Sequence, residues 1–148
     1  MPSIPPVTIA IDHDDHHAEH VGRMPDGRQF FLTSPFVPAI NGPGNEFVAL
    51  FLFDAEGNLL EARIDAFGPR AIMDEEARMD AYQRRIDELQ GASFERIVVK
   101  PFSLERFGTI FGLIARAPEE EDDIWWVELQ PGNYMAFAEP WDSGEYDT

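Results

Sequence analysis

The run Phe47-Val48-Ala49-Leu50-Phe51-Leu52-Phe53 constrains this chain more than any other stretch. All seven residues are apolar and three are Phe. A membrane-spanning helix needs about 20 such residues, and a typical globular helix has about 11. The run reads instead as a strand. Successive side chains of a strand point to opposite faces, so a strand apolar at every position is buried on both. It therefore predicts a central strand with one layer of structure packed on each side. At 148 residues the chain can supply both layers, since a domain of this size buries roughly 70% of its unfolded surface.

The flanking sequence offers candidates for those layers. Asp54-Ala55-Glu56-Gly57-Asn58 reads as a hairpin connection, with Gly57 at the position that needs positive φ. Leu60, Ala62 and Ile64 then alternate with Glu61, Arg63 and Asp65, as in a strand with one wet face. Further strands are expected at Val7–Ile11, Phe94–Val99, Thr109–Arg116, Ile124–Leu129 and Tyr134–Ala138. Pro25-Asp26-Gly27 suits a turn joining residues 17–23 to residues 28–33 in a hairpin. Ser103 to Gly108 reads as one capped helical turn.

The strong helical pattern covers about 73–90. Ile72, Met79, Tyr82, Ile86 and Leu89 fall on one stripe, Asp74, Glu75 and Glu76 crowd the positive end, and Gly91 offers a stop. Asp80 and Arg84 are spaced for an ion pair. Together these elements predict a single α+β domain over residues 1–148. It would hold a twisted, mainly antiparallel sheet of six to eight strands, with the one principal helix on one face.

Several chemistries lack their residues. There is no cysteine, so disulfides, thiolate catalysis and Cys-ligated metal are excluded. There is no Gly-rich phosphate loop and no G-x-S-x-G. No basic stripe with interleaved aromatics is present, so neither nucleic acid nor membrane is expected as a partner. The start, MPSIPPVTIAIDHDD, has no basic residues and no apolar run of signal length, and a cytoplasmic location is expected.

Charge is placed unevenly. The net charge is −17. Residues 1–22 carry four acids and residues 118–148 carry ten, with no Lys or Arg in either stretch. The middle of the chain is nearly balanced. Such a field repels phosphate backbones and attracts basic partners.

All four histidines lie in HDDHHAEH, residues 13 to 20. His16-His17-Ala18-Glu19-His20 is similar, over five residues, to the H-x-x-E-H motif of pitrilysin-like zinc peptidases. That resemblance implies zinc bound by His16 and His20, with Glu19 as general base. The motif belongs inside a long helix. Here no apolar stripe runs through residues 12–22, and Gly22 and Pro25 follow at once. The alternative is a polar edge strand or loop in which flanking carboxylates lift the histidine pKa values. His13, His16, His17 and His20 stand as the candidate ligands for zinc or another divalent ion.

Two more segments are candidates for contact with a partner. In the acidic tail, about 139–148, Trp141 and Tyr146 sit among Asp142, Glu145 and Asp147. In the long connection 34–45, Phe36 and Ile40 either cap the core or line a binding surface. The expected function is a non-catalytic acidic binding module, inhibitor- or immunity-like, that recognises a basic protein surface. The alternative is a metal-binding protein or zinc-dependent hydrolase centred on the histidines.

Overall fold

The computed structural model describes residues 3–148. Its centre is β5 (Asn45–Phe53), the apolar run extended by two residues. On one side of β5 lies β6 (Leu59–Ala66), antiparallel. The Asp54 carboxylate closes the hairpin by accepting from the Glu56 and Asn58 backbone N–H groups and from the Asn58 amide. Gly57 takes φ +93°, and a Cβ there would meet the Val98 carbonyl oxygen at 2.9 Å.

On the other side of β5 lie β3 (Gln29–Thr33) and, beyond Pro35, β4 (Phe36–Val37). β2 (His20–Arg23) pairs with β3, as the predicted hairpin requires, and β7 (Ser93–Phe94) pairs with β2. Gly22 permits that last pairing, because a Cβ would fall 1.9 Å from the Ser93 carbonyl oxygen. These six strands form one sheet.

Both faces of β5 are buried, each against a different layer. Phe47, Ala49, Phe51 and Phe53 face a second sheet of β9 (Phe102–Arg106), β10 (Thr109–Arg116), β11 (Trp126–Gln130) and β12 (Ala136–Phe137). Phe102 packs edge-on between Phe51 and Phe53, at ring-centroid distances of 4.9 and 5.4 Å. A two-stranded sheet of β1 (Ile9–Ile11) and β8 (Ile97–Val99) adds to the same core. Val48, Leu50 and Leu52 face the helix α1 (Glu75–Asp87) and its C-terminal flank, through Tyr82, Ile86 and Leu89. The fold is thus α+β with one principal helix. Its twelve strands, among the described residues, divide into three sheets. No helix of the described residues is long and apolar enough to cross a membrane.

Four local expectations are corrected. Ile72 lies outside the helix and is 82% exposed, and Met79 is 59% exposed. The inward face is set instead by Ala81, Tyr82, Arg85 and Ile86. Arg85 is drawn down by Asp65 of β6 at 3.0 Å, and no Asp80–Arg84 pair forms among the described residues. Second, Leu60 is exposed because the β5–β6 register slips beside Phe53, so that Leu59 takes the core position. Third, Phe94 to Val99 is not one strand. It breaks at Glu95-Arg96 as the chain passes from the first sheet to the two-stranded one. Fourth, Ser103 to Gly108 is not a helical turn. Phe102 and Leu104 point into the core with strand period, and Phe107 and Gly108 (φ 54° and 68°) make a two-residue turn of type I′ character.

Candidate functional site

The acidic tail is built into the body. The Ala10 N–H donates to the Trp141 carbonyl (2.9 Å), and the Asp12 N–H donates to that of Gly144 (3.0 Å). Ala136 and Asp147 exchange backbone bonds of 2.9 and 2.8 Å. The Arg96 guanidinium ties the ends together. Its Nε donates to Asp12 Oδ1 (2.5 Å), Nη1 to the Asp142 carbonyl (2.9 Å) and Nη2 to the Ser143 carbonyl (3.1 Å). The tail's aromatics turn inward. Trp141 and Tyr146 pack against the main core, and the Trp141 indole N–H donates to the Ile4 carbonyl at 3.0 Å.

This docking brings both acidic ends to one open groove of about 680 Å³. Asp12 and Asp14 line it from the N-terminal side, and Glu139, Glu145 and Asp147 from the C-terminal side, with His16 at its edge. Glu145 and Asp147 are exposed and form no ion pair among the described residues. Glu139 is held below the ordinary carboxylate range by hydrogen bonds from the Ser3 hydroxyl (2.7 Å) and the Ile4 N–H (2.6 Å). Asp142 is exposed next to the groove.

A Tyr146–Asp14 contact closes the groove floor. The Tyr146 hydroxyl donates to Asp14 Oδ2 (2.5 Å) and accepts from the His17 N–H (3.0 Å). Burial pushes the Asp14 carboxyl up. Bonds from Tyr146 and from the His16 and Ala18 N–H groups outweigh this and hold it below its ordinary value. Burial and the Asp14 bond push the Tyr146 phenol up to about 12. An ionised Asp14 stabilises the docked tail above the ordinary carboxylate range, and this is lost as pH falls through the lowered pKa. A neutral Tyr146 stabilises it below pH 10, the phenol's ordinary value, and this is lost as pH rises toward about 12. Protection of the Asp12 and Asp147 amides from hydrogen exchange should therefore be flat between about pH 5 and 9 and weaken on either side. Tyr146→Phe should reduce that protection on the plateau itself. Unchanged protection in the variant would show that the contact does not hold the tail.

The histidines lie in a turn, not a helix. Asp14 Oδ1 accepts from the His16 and Ala18 N–H groups at 2.8 and 3.0 Å, and residues 15–19 curl around it. The four rings go to different neighbours. His13 stacks on Phe94 (5.8 Å), and His16 lies against His17 (3.8 Å). His17 also meets Tyr134 (5.0 Å), and His20 Nδ1 shares a hydrogen with the Tyr82 hydroxyl (2.7 Å). Among the described residues no three His, Asp or Glu side chains gather as a metal-holding group. The expected upward pKa shift is also corrected for two of them. Burial holds His17 and His20 below the ordinary imidazole value, despite the nearby carboxylates.

Phe36 and Ile40 lie apart from the groove. Phe36 stacks on Tyr134 (5.8 Å) beneath the Arg70 guanidinium (5.7 Å) and lines a second pocket of about 290 Å³. Ile40 stands at the loop tip, 78% exposed. Asp12, Asp14 and Glu139 of this groove, and Arg96 bonded to Asp12, are residues that the sequence does not single out. The only signal was the charge count of the two ends, which does not say that the ends meet. Comparison with family models, with curated proteins and with solved structures finds no match for the chain.

Proposed function

We propose that this protein is a non-catalytic acidic binding module whose groove between the two chain ends recognises a basic protein surface. One observation carries the reading: five carboxylates drawn from opposite ends of the sequence line one open concavity. Arg96 bonds to Asp12 and to the Ser143 carbonyl of the groove lining without itself lining the groove, and its charge is met by Asp12. The net charge of −17 adds a long-range field of the same sign, which steers cationic partners toward the surface. Among the described residues the Glu145 and Asp147 side-chain carboxylates have no bonding partner, so they are the ones offered to a partner's Arg or Lys. The finer form of the proposal is an inhibitor- or immunity-type protein that masks a basic working surface.

Calorimetric titration with an Arg-rich peptide tests it. Affinity should fall about tenfold or more between roughly 50 and 300 mM salt, because exposed charge is screened. Glu145→Gln combined with Asp147→Asn changes exposed side chains alone and should also weaken binding about tenfold. Binding that ignores both salt and the double variant would reject the proposal.

A further inference from the structure

We propose that the pocket between the histidine turn and the chain after β3 binds a small zwitterionic carboxylate of the α-amino-acid type. The pocket holds about 290 Å³. That equals the liquid volume of about ten waters, the scale of a small metabolite.

One side of the pocket offers hydrogen-bond donors. Thr33, on β3, is only 4% exposed, yet it is polar and faces Tyr134. The two hydroxyls lie 2.5 Å apart and share one hydrogen bond. They carry two hydrogens between them, and among the described residues neither oxygen has a second partner. One O–H is therefore left over in a buried wall, where a donor without an acceptor is unfavourable. The Ser34 hydroxyl next to it also has no partner among the described residues. At the rim, Arg70 places Nε and Nη2 on Glu46 Oε1 (3.2 and 2.8 Å), leaving Nη1 free. Two hydroxyl donors and a guanidinium nitrogen suit the two oxygens of a carboxylate.

The charge of the molecule decides what else the ligand carries. A simple anion would enter against a net charge of −17. An ammonium group on the same ligand removes that penalty. Glu19, on the pocket rim, is exposed and unpaired among the described residues, and is placed to receive it. His17, stacked against His16 and Tyr134, lines the same pocket, and burial holds its ring below the ordinary imidazole value, so that it offers an acceptor nitrogen. The parallel Phe36 and Tyr134 rings leave an apolar wall for a side chain.

The test is NMR titration at neutral pH with alanine, valine, leucine and phenylalanine. Each is matched by its amino-free acid and its carboxyl-free amine. At least one amino acid should bind with a Kd of about 1 mM or tighter, shifting the Ser34 and Glu19 amides. Both matched controls should bind at least about tenfold more weakly. Ser34→Ala and Glu19→Gln should each weaken the amino acid by a similar factor while leaving Arg-rich peptide binding in the groove unchanged. Glu19 is exposed, so its variant tests the site without disturbing the core. No binding, equal binding of the amino-free acid, or a Glu19→Gln variant that binds as the parent does would each overturn the proposal.

Discussion

Phe51→Ala should lower the free energy of unfolding by about 3–5 kcal/mol, the range for deleting a buried aromatic ring. Phe51 sits in the middle of β5 and is fully buried. Its ring lies 6.5 Å from Phe31 in the neighbouring strand and 4.9 Å from Phe102 in the opposite sheet. Alanine would remove one of the ring contacts that join the two sheets, beside Phe53–Phe102 and Phe47–Phe111, and leave a cavity between them. Neither β3 nor β9 can move in to close it without breaking its own pairing. Most domains are stable by about 5–15 kcal/mol, so the variant should stand near the edge of folding at room temperature. Urea denaturation measures this as a lower midpoint with an unchanged slope. A loss below about 1 kcal/mol would mean that the Phe-lined face is not the main core.

The second large effect should come from Gln29→Ala, at about 2–4 kcal/mol. Gln29 begins β3, is fully buried and faces the second layer. Its amide Nε2 donates to the Asp54 carbonyl (3.1 Å) and the Val98 carbonyl (2.9 Å), and its Oε1 accepts from the Val98 N–H (2.7 Å). β8 pairs with β1 on one side, and on the other the Gln29 amide takes the place of a neighbouring strand at Val98. Alanine would leave the half-buried Val98 N–H and carbonyl without partners and the Asp54 carbonyl with the Gly57 N–H alone, each loss unfavourable away from water. Gln29→Glu discriminates between volume and bonding. It keeps the size but loses the Nε2 donor, and should be destabilising as well. A Gln29→Ala variant as stable as the parent would show that water satisfies these groups and that the amide is dispensable.

Gln29 and Phe51 mark the limits of what the sequence reveals. Phe51 is legible because its neighbours are all apolar, and a both-faces-buried strand follows from that local fact alone. The hairpins at Pro25-Asp26-Gly27 and Asp54 to Asn58 are legible for the same reason, since turn chemistry is local. Gln29 reads as an ordinary polar residue at a strand end, because its partners are 25 and 69 positions away. Leu60 and Phe94 show the same limit. A register slip and a switch between sheets are decided by the facing strand, which no local pattern encodes. The stripe of α1 shifts toward Arg85 because an ion pair with β6 competes with periodicity.

The groove divides in the same way. Its charge was legible as acids gathered at both ends of the chain, and Glu145, Tyr146 and Asp147 were recognisable as candidates. Its assembly was not, because the contacts that make it span most of the sequence. Tyr146 reaches Asp14, and Arg96 reaches back to Asp12 and forward to Asp142 and Ser143. Arg96 stands alone between Glu95 and Ile97, with nothing nearby to set it apart from nine other arginines. The histidine stretch illustrates the opposite case. A five-residue pattern matched a motif, while Asp14 captured the backbone N–H groups of His16 and Ala18 and curled the segment into a turn.

The central claim is that the two ends of the chain form one surface for a basic partner. The most direct measurement is a ¹⁵N–¹H NMR titration with an Arg-rich peptide at low salt. Amides of residues 12–17 and 139–147 should shift together along one binding curve, and a peptide of the same length without Arg or Lys should leave them in place. Shifts confined to one end, or centred on the loop 36–45 or on α1, would contradict the claim.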